Sequence, residues 1–151
     1  MKNILVTGAG AVLGQGILRC LQEYANDFII HTADPDHKSS GHWLGNKAHI
    51  VKMANDPEYI NSIENIIQTE KIDIIFIIVD YLMPKMTGAE LIREIKAKHP
   101  NLKCVMLSGH ANPISIEALN KENMLESFIS KPWNEEELFD TIRPILEGYT
   151  R

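Results

Sequence analysis

Apolar residues along this chain fall into two alternating patterns: short unbroken aliphatic runs, and longer stretches in which they return every three or four positions. Asn3 to Thr7 is the first run; a Gly-rich turn follows, and Leu13, Ile17, Leu21 and Tyr24 then repeat at helical spacing. This predicts a strand feeding a helix. Phe28 to Ala33 predicts a second strand. A polar stretch from Asp34 to Lys47, long enough for a parallel crossover, leads to a short third strand at His49 to Met53. Asp56 and Pro57 read as an N-cap and a first helical residue, with Ile60, Ile63 and Ile67 on one face. Ile74 to Val79 is aliphatic on both faces, as a central parallel strand must be.

The alternation continues to the end of the sequence. Thr87 and Glu90 form a capping box ahead of a helix that buries Leu91, Ile92 and Ile95. Lys103 to Leu107 predicts a fifth strand, Asn112 and Pro113 open another helix, and Ser127 to Ile129 predicts a brief sixth strand. Asn134 and Glu137 cap a last helix carrying Leu138, Ile142 and Ile145. The expected fold class is α/β, a single doubly wound parallel sheet of Rossmann or flavodoxin-like type. With 151 residues, 44% of them hydrophobic, residues 1–151 are expected to share one core as one domain.

Composition narrows the function classes. The net charge of −5 comes without a basic stripe, which argues against a nucleic-acid partner. Ile74 to Val79 is the longest aliphatic and aromatic run, far short of the roughly 20 residues of a membrane span. Nothing at Met1 resembles a signal peptide, and Cys20 and Cys104 each sit in an apolar pattern, as reduced core cysteines do. These features lead to an expected cytoplasmic setting.

Candidate chemistry begins at Gly8, Gly10 and Gly14, a loop whose backbone N–H groups and following helix could face a phosphate. Three residues separate Gly10 from Gly14 where the dinucleotide fingerprint has two, so an NAD site is not expected; ATP is not an expected cofactor either. Asp34, at the end of the second strand, is placed where an acid could meet a ribose. His31, His37, His42 and His49 invite a metal reading, but with no cysteine partner they are expected at the surface. Trp43 and Leu44 are expected to pin the polar stretch onto the sheet edge. No Ser-His-Asp or Cys-His arrangement can be assigned, and the chain is not expected to be an enzyme.

Two family resemblances stand on separate motifs. Val6-Thr7-Gly8-Ala9-Gly10, Gly14-Gln15-Gly16, Ala33-Asp34-Pro35-Asp36, Asn55-Asp56-Pro57-Glu58-Tyr59-Ile60 and Glu70-Lys71-Ile72-Asp73-Ile74-Ile75 together resemble the Rossmann-like domain that precedes the grasp domain in ATP-grasp ligases. From Val79 onward, Asp80-Tyr81-Leu82-Met83-Pro84-Lys85-Met86-Thr87-Gly88, Val105-Met106-Leu107-Ser108-Gly109-His110-Ala111 and Phe128-Ile129-Ser130-Lys131-Pro132-Trp133 resemble the receiver domain of two-component response regulators. Together they imply a chimera, and an engineered one, with halves 1–78 and 79–151 meeting inside the strand Ile74 to Val79. Merging the two strand orders implies one sheet ordered 3-2-1-4-5-6.

The receiver resemblance implies roles residue by residue: Asp80 as phosphoacceptor, Ser108 and Lys131 contacting the phosphoryl group, and Phe128 as the switch aromatic. It also implies a histidine kinase or a small phosphodonor as partner, and a homodimer through the stretch from Ile114 to Leu146. A receiver holds Mg²⁺ with an acidic pair at the end of its first strand, and here that strand ends in Val6, Thr7 and Gly8. Asp80 alone is a weak metal anchor. The next acid by topology is Asp34, two strands and roughly 10 Å away. Residual phosphorylation at most is therefore expected, with the Gly loop able to steady a phosphoryl group on Asp80; the alternatives are a nucleotide- or phosphate-binding domain through Gly8, Gly10 and Gly14, or a competent receiver phosphorylated on Asp80. Strand register at Ile74 to Val79 is the sensitive point, because a one-residue slip turns Asp80 to the other face.

Overall fold

A computed structural model describes residues 2–7, 12–24, 28–36, 38, 40–53, 56–79, 88–108, 127–130 and 135–150. Its elements in chain order are β1 (Lys2–Thr7), α1 (Val12–Tyr24), β2 (Phe28–Asp34), a 3₁₀ turn (Ser40–Leu44), β3 (Lys47–Ile50), α2 (Tyr59–Glu70), β4 (Ile74–Val79), α3 (Gly88–Lys98), β5 (Lys103–Ser108), β6 (Ser127–Ser130) and α4 (Glu135–Thr150). The strands form one parallel sheet ordered β3-β2-β1-β4-β5-β6, the order implied by merging the strand orders of the two resembled families.

Alternation along the strands divides the core into two layers. Ile4, Val6, Phe28, Ile30, Ile74, Phe76, Val105 and Leu107 face α1 and α4, where Ile17, Leu21, Leu138 and Ile142 meet them. Leu5, Ala33, Ile75, Ile77, Cys104 and Met106 face α2 and α3, against Ile63, Ile67, Leu91 and Ile95. β4 is buried on both faces because it lies between β1 and β5 with a helical layer above and below. Among the described residues no helix is long and apolar enough to cross a membrane.

Asp73 fixes the register that aims the end of β4. Its carboxylate accepts from the backbone N–H of Asn3 at 2.8 Å, and its own N–H donates to the Asn3 carbonyl at 2.8 Å. Its carbonyl accepts from the Lys103 N–H at 3.2 Å. One residue thus ties the first turns of β1, β4 and β5, giving Ile4↔Ile74 and Ile74↔Lys103 as partners.

Several local expectations shift. The third strand lies at Lys47–Ile50 instead of His49–Met53, because Lys47 to Ile50 pair with His31 to Asp34. Helix α2 starts at Tyr59, with Glu58 as N-cap and no side-chain cap; the Asp56 carboxylate instead accepts from the Glu58 N–H at 2.8 Å and closes the turn before the helix. Trp43 is 84% exposed and pins nothing, while Leu44 packs against the α1 layer. Thr87, Asn112, Pro113 and Asn134 lie outside the described residues.

Two predictions follow from packing. Gly45 lies flat on β2, where an added Cβ would stand 2.6 Å from Cγ2 of buried Thr32 and 3.2 Å from the Ile30 carbonyl. Gly45→Ala should therefore destabilise by about 1–3 kcal/mol, read as a lower denaturant midpoint. Cys20 and Cys104 are buried and not joined in a disulfide, and burial pushes the Cys104 pKa up to about 12. Native protein should leave both unalkylated by iodoacetamide at neutral pH, whereas urea-unfolded protein should take up two equivalents, counted by mass.

Candidate functional site

The carboxyl ends of parallel strands are where a doubly wound sheet places its chemistry, at the point where the chain reverses its winding direction. Here that point lies between β1 and β4: the chain winds outward through β2 and β3, then crosses back through α2 to β4. Register aligns the strand ends on the β5 side of it. Val79 partners Ser108, and Ser108 partners Ser130. Asp80 and Lys131 each follow directly on one of these aligned ends, and Gly8 follows on β1.

The expected site residues divide accordingly. Ser108 is the last residue of β5, Phe128 stands on β6 opposite Met106, and Gly14 lies within the first turn of α1. Asp80, Lys131, Gly8 and Gly10 lie outside the described residues, as does His37. The strand and the helix expected on either side of Gly8 and Gly10 are present, with β1 ending at Thr7 and α1 beginning at Val12.

At the end of β1 the structure holds hydroxyls. Thr7 is buried, and its hydroxyl donates to the Phe76 carbonyl at 3.3 Å. Tyr59, at the start of α2, shares a side-chain hydrogen bond with Thr7. Burial pushes the Tyr59 pKa up to about 12, the Thr7 hydrogen bond lowers it, and the Asp34 charge raises it. Both hydroxyls are thus neutral at physiological pH and offer a cation no charge. The Asp34 carboxylate accepts from the Asp36 N–H at 2.9 Å, in a turn that leads away from the sheet. These described residues do not fit a Mg²⁺ cage of hard, charged oxygens.

The histidines depart most from expectation. His31 is fully buried, and its Nδ1 lies 3.0 Å from Nε2 of half-buried His49. His42 hydrogen-bonds Thr32 through Nδ1 at 2.6 Å. Pairing of β2 with β3 carries these side chains inward, and strand register across a loop of that length cannot be read from spacing. Tyr59 was missed for a similar reason: its partner Thr7 is on another strand. An aromatic at the start of a helix in this region was the only available signal.

The sequence profile of the response regulator receiver domain matches residues 41–143. Among curated proteins, the hydrogenase transcriptional regulatory protein HoxA of Cupriavidus necator is 32% identical over 72 residues, 48% of this chain and 15% of its own length. The response regulator protein TodT of Pseudomonas putida is 32% identical over 72 residues, 47% of this chain and 31% of its own. The chain thus spans less than a third of these relatives. A receiver domain protein from Methanospirillum hungatei superposes with a TM-score of 0.62 at 18% identity, covering 98% of this chain and 95% of that one. The receiver domain of NtrX from Brucella abortus gives 0.62 at 19%, covering 95% and 98%.

These findings overturn the two-family reading. The profile begins at residue 41, well ahead of the expected seam at 78/79, and receiver structures overlay both sides of it. No ATP-grasp-associated half remains, and the inference of an engineered chimera goes with it. The motifs behind that resemblance, a glycine turn after a strand and an acid at the end of the next, are what any doubly wound sheet requires at those places. The chain belongs to the response regulator receiver domain family.

Proposed function

We propose that this chain is a phosphorelay receiver module acting as one unit over residues 1–151, a signalling domain and not a metabolic enzyme, with Asp80 as its phosphoacceptor. The observation that supports this most is the Val79↔Ser108↔Ser130 register, which aligns Ser108 with the strand-end residues that immediately precede Asp80 and Lys131 in the sequence. The donor is a histidine kinase or a small acyl phosphate. An oxygen of the Asp80 carboxylate attacks phosphorus and an aspartyl phosphate forms; the bond broken is phosphorus–nitrogen in a kinase phosphohistidine, releasing the imidazole, or phosphorus–oxygen in an acyl phosphate, releasing the donor carboxylate. Lys131 supplies positive charge for the phosphoryl oxygens, Ser108 donates a hydrogen bond, and Phe128 reports the change.

Phosphorylation here is residual in rate, because the first strand ends in Val6, Thr7 and Gly8 where a receiver has its acidic pair. No step is routed through Mg²⁺, since the described residues do not suit it. HoxA is named a transcriptional regulator and CckA, another relative at 31% identity, a sensor kinase. Both kinds of protein contain a matching segment, so output is set by whatever a receiver is joined to.

Intact mass after incubation with acetyl phosphate tests the reading. Slow addition of one phosphoryl group, absent in Asp80→Asn, is the expected result. An adduct that persists in Asp80→Asn, or no adduct from folded protein after long incubation, would overturn it.

A further inference from the structure

The face of the sheet beneath α2 holds a cluster of metal-binding groups that phosphorelay chemistry does not use. His31 on β2, His49 on β3 and Glu70 in the last turn of α2 present ligand atoms that all lie within 4.8 Å of one another. His31 lies three residues before the end of β2, about 10 Å along the strand from the sheet's carboxyl edge. The two imidazole rings stack, with centroids 5.2 Å apart and planes at 19°.

Asn3 orients the cluster. Its Nδ2 donates to the Lys71 carbonyl at 3.5 Å, which leaves Oδ1 pointing at His31 Nε2 at 2.9 Å. An amide oxygen only accepts, so His31 carries its proton on Nε2 and its Nδ1 is a bare lone pair. That lone pair faces His49 Nε2 at 3.0 Å. In the metal-free protein His49 fills it by donating its own Nε2 proton. A carbonyl-type oxygen on the far nitrogen of a ligating histidine is the usual outer support of a zinc site, fixing tautomer and ring plane.

We propose that His31 Nδ1, His49 Nε2 and the Glu70 carboxylate bind one divalent zinc-class cation, with water as fourth ligand. Two imidazoles and one carboxylate with an open position form a well-attested zinc donor set. Two nitrogens held about 2.1 Å from a tetrahedral zinc stand about 3.4 Å apart, so the imidazoles need separate only slightly. His49 shifts its proton to Nδ1 as it ligates. Burial lowers the pKa of both histidines, and the Lys47 ion pair lowers that of Glu70, so all three ligands are in their binding protonation states at neutral pH. Lys47 Nζ, 3.3 Å from Glu70 Oε2, holds the place a cation would take and must move aside. The site joins the edge strand to α2, and its occupancy would fasten the segment that precedes β4.

Tag-free protein titrated with ZnCl₂ by calorimetry tests the site, with Co²⁺ absorption as a second readout. One zinc per chain, a higher melting temperature and a tetrahedral Co²⁺ spectrum are expected. His49→Gln and Glu70→Gln, both at partly exposed positions, should each weaken binding at least tenfold while remaining folded by circular dichroism. Lys47→Met should tighten it. Absence of zinc binding by the wild-type protein, or wild-type affinity in both His49→Gln and Glu70→Gln, would overturn the proposal, the second outcome placing the metal on other residues.

Discussion

Phe76→Ala is expected to remove about 3–5 kcal/mol of folding stability. Phe76 is fully buried at the middle of β4, in the layer where the sheet meets α1 and α4. Its strand is held on both sides, by β1 through Val6 and by β5 through Val105, so the backbone cannot collapse into the space the ring leaves. The cavity term therefore adds to the lost transfer energy. A domain of this size has about 5–15 kcal/mol in all, so the variant should approach marginal stability. Urea unfolding would show it as a large drop in midpoint with little change in slope. A loss under about 1 kcal/mol would mean that the helices are not close-packed on β4. Trp43→Ala, at a position 84% exposed, should stay within about 0.5 kcal/mol of the parent.

Placing carboxylates at Gly8 and Ala9, the two positions after Thr7, should raise the rate of Asp80 phosphorylation by acetyl phosphate on the order of 100-fold when Mg²⁺ is present. Without Mg²⁺ the same variant should be slower than the parent, because two added negative charges repel the phosphodonor. The opposite responses distinguish a restored metal site from a general change in folding. Intact mass against time, with and without Mg²⁺, reads both. Equal rates with and without metal would show that the missing acids are not what limits this receiver.

The layered fold was legible because its causes are local. Ile74 to Val79 has no polar face and so can only be central, and the helical spacing of Ile17 and Leu21 places their helix on the sheet. The strands that lead to Asp80, Ser108 and Lys131 in sequence were legible for the same reason. What failed depends on contacts between distant segments. A glycine turn after β1 suits any Rossmann-like sheet, and reading it as a second ancestry set local similarity above the match that runs through residues 41–143. His31 looked like a surface histidine because its partners Asn3, His49 and Glu70 come from three other elements. Tyr59 and Thr7 meet only because α2 folds back across the sheet.

The place of β1 in the sheet has a consequence during synthesis. β1 pairs with β2, which follows within 30 residues, and with β4, which arrives some 70 residues later. As the chain leaves the ribosome, β3-β2-β1 can form in the order of translation, but the Ile4 to Val6 edge then stays open until Ile74 to Phe76 emerge. An open, wholly apolar strand edge is a template for pairing with a neighbouring chain. The interval between those two segments is therefore when nascent copies on one message are most exposed to one another, and slowing elongation there should lower soluble yield.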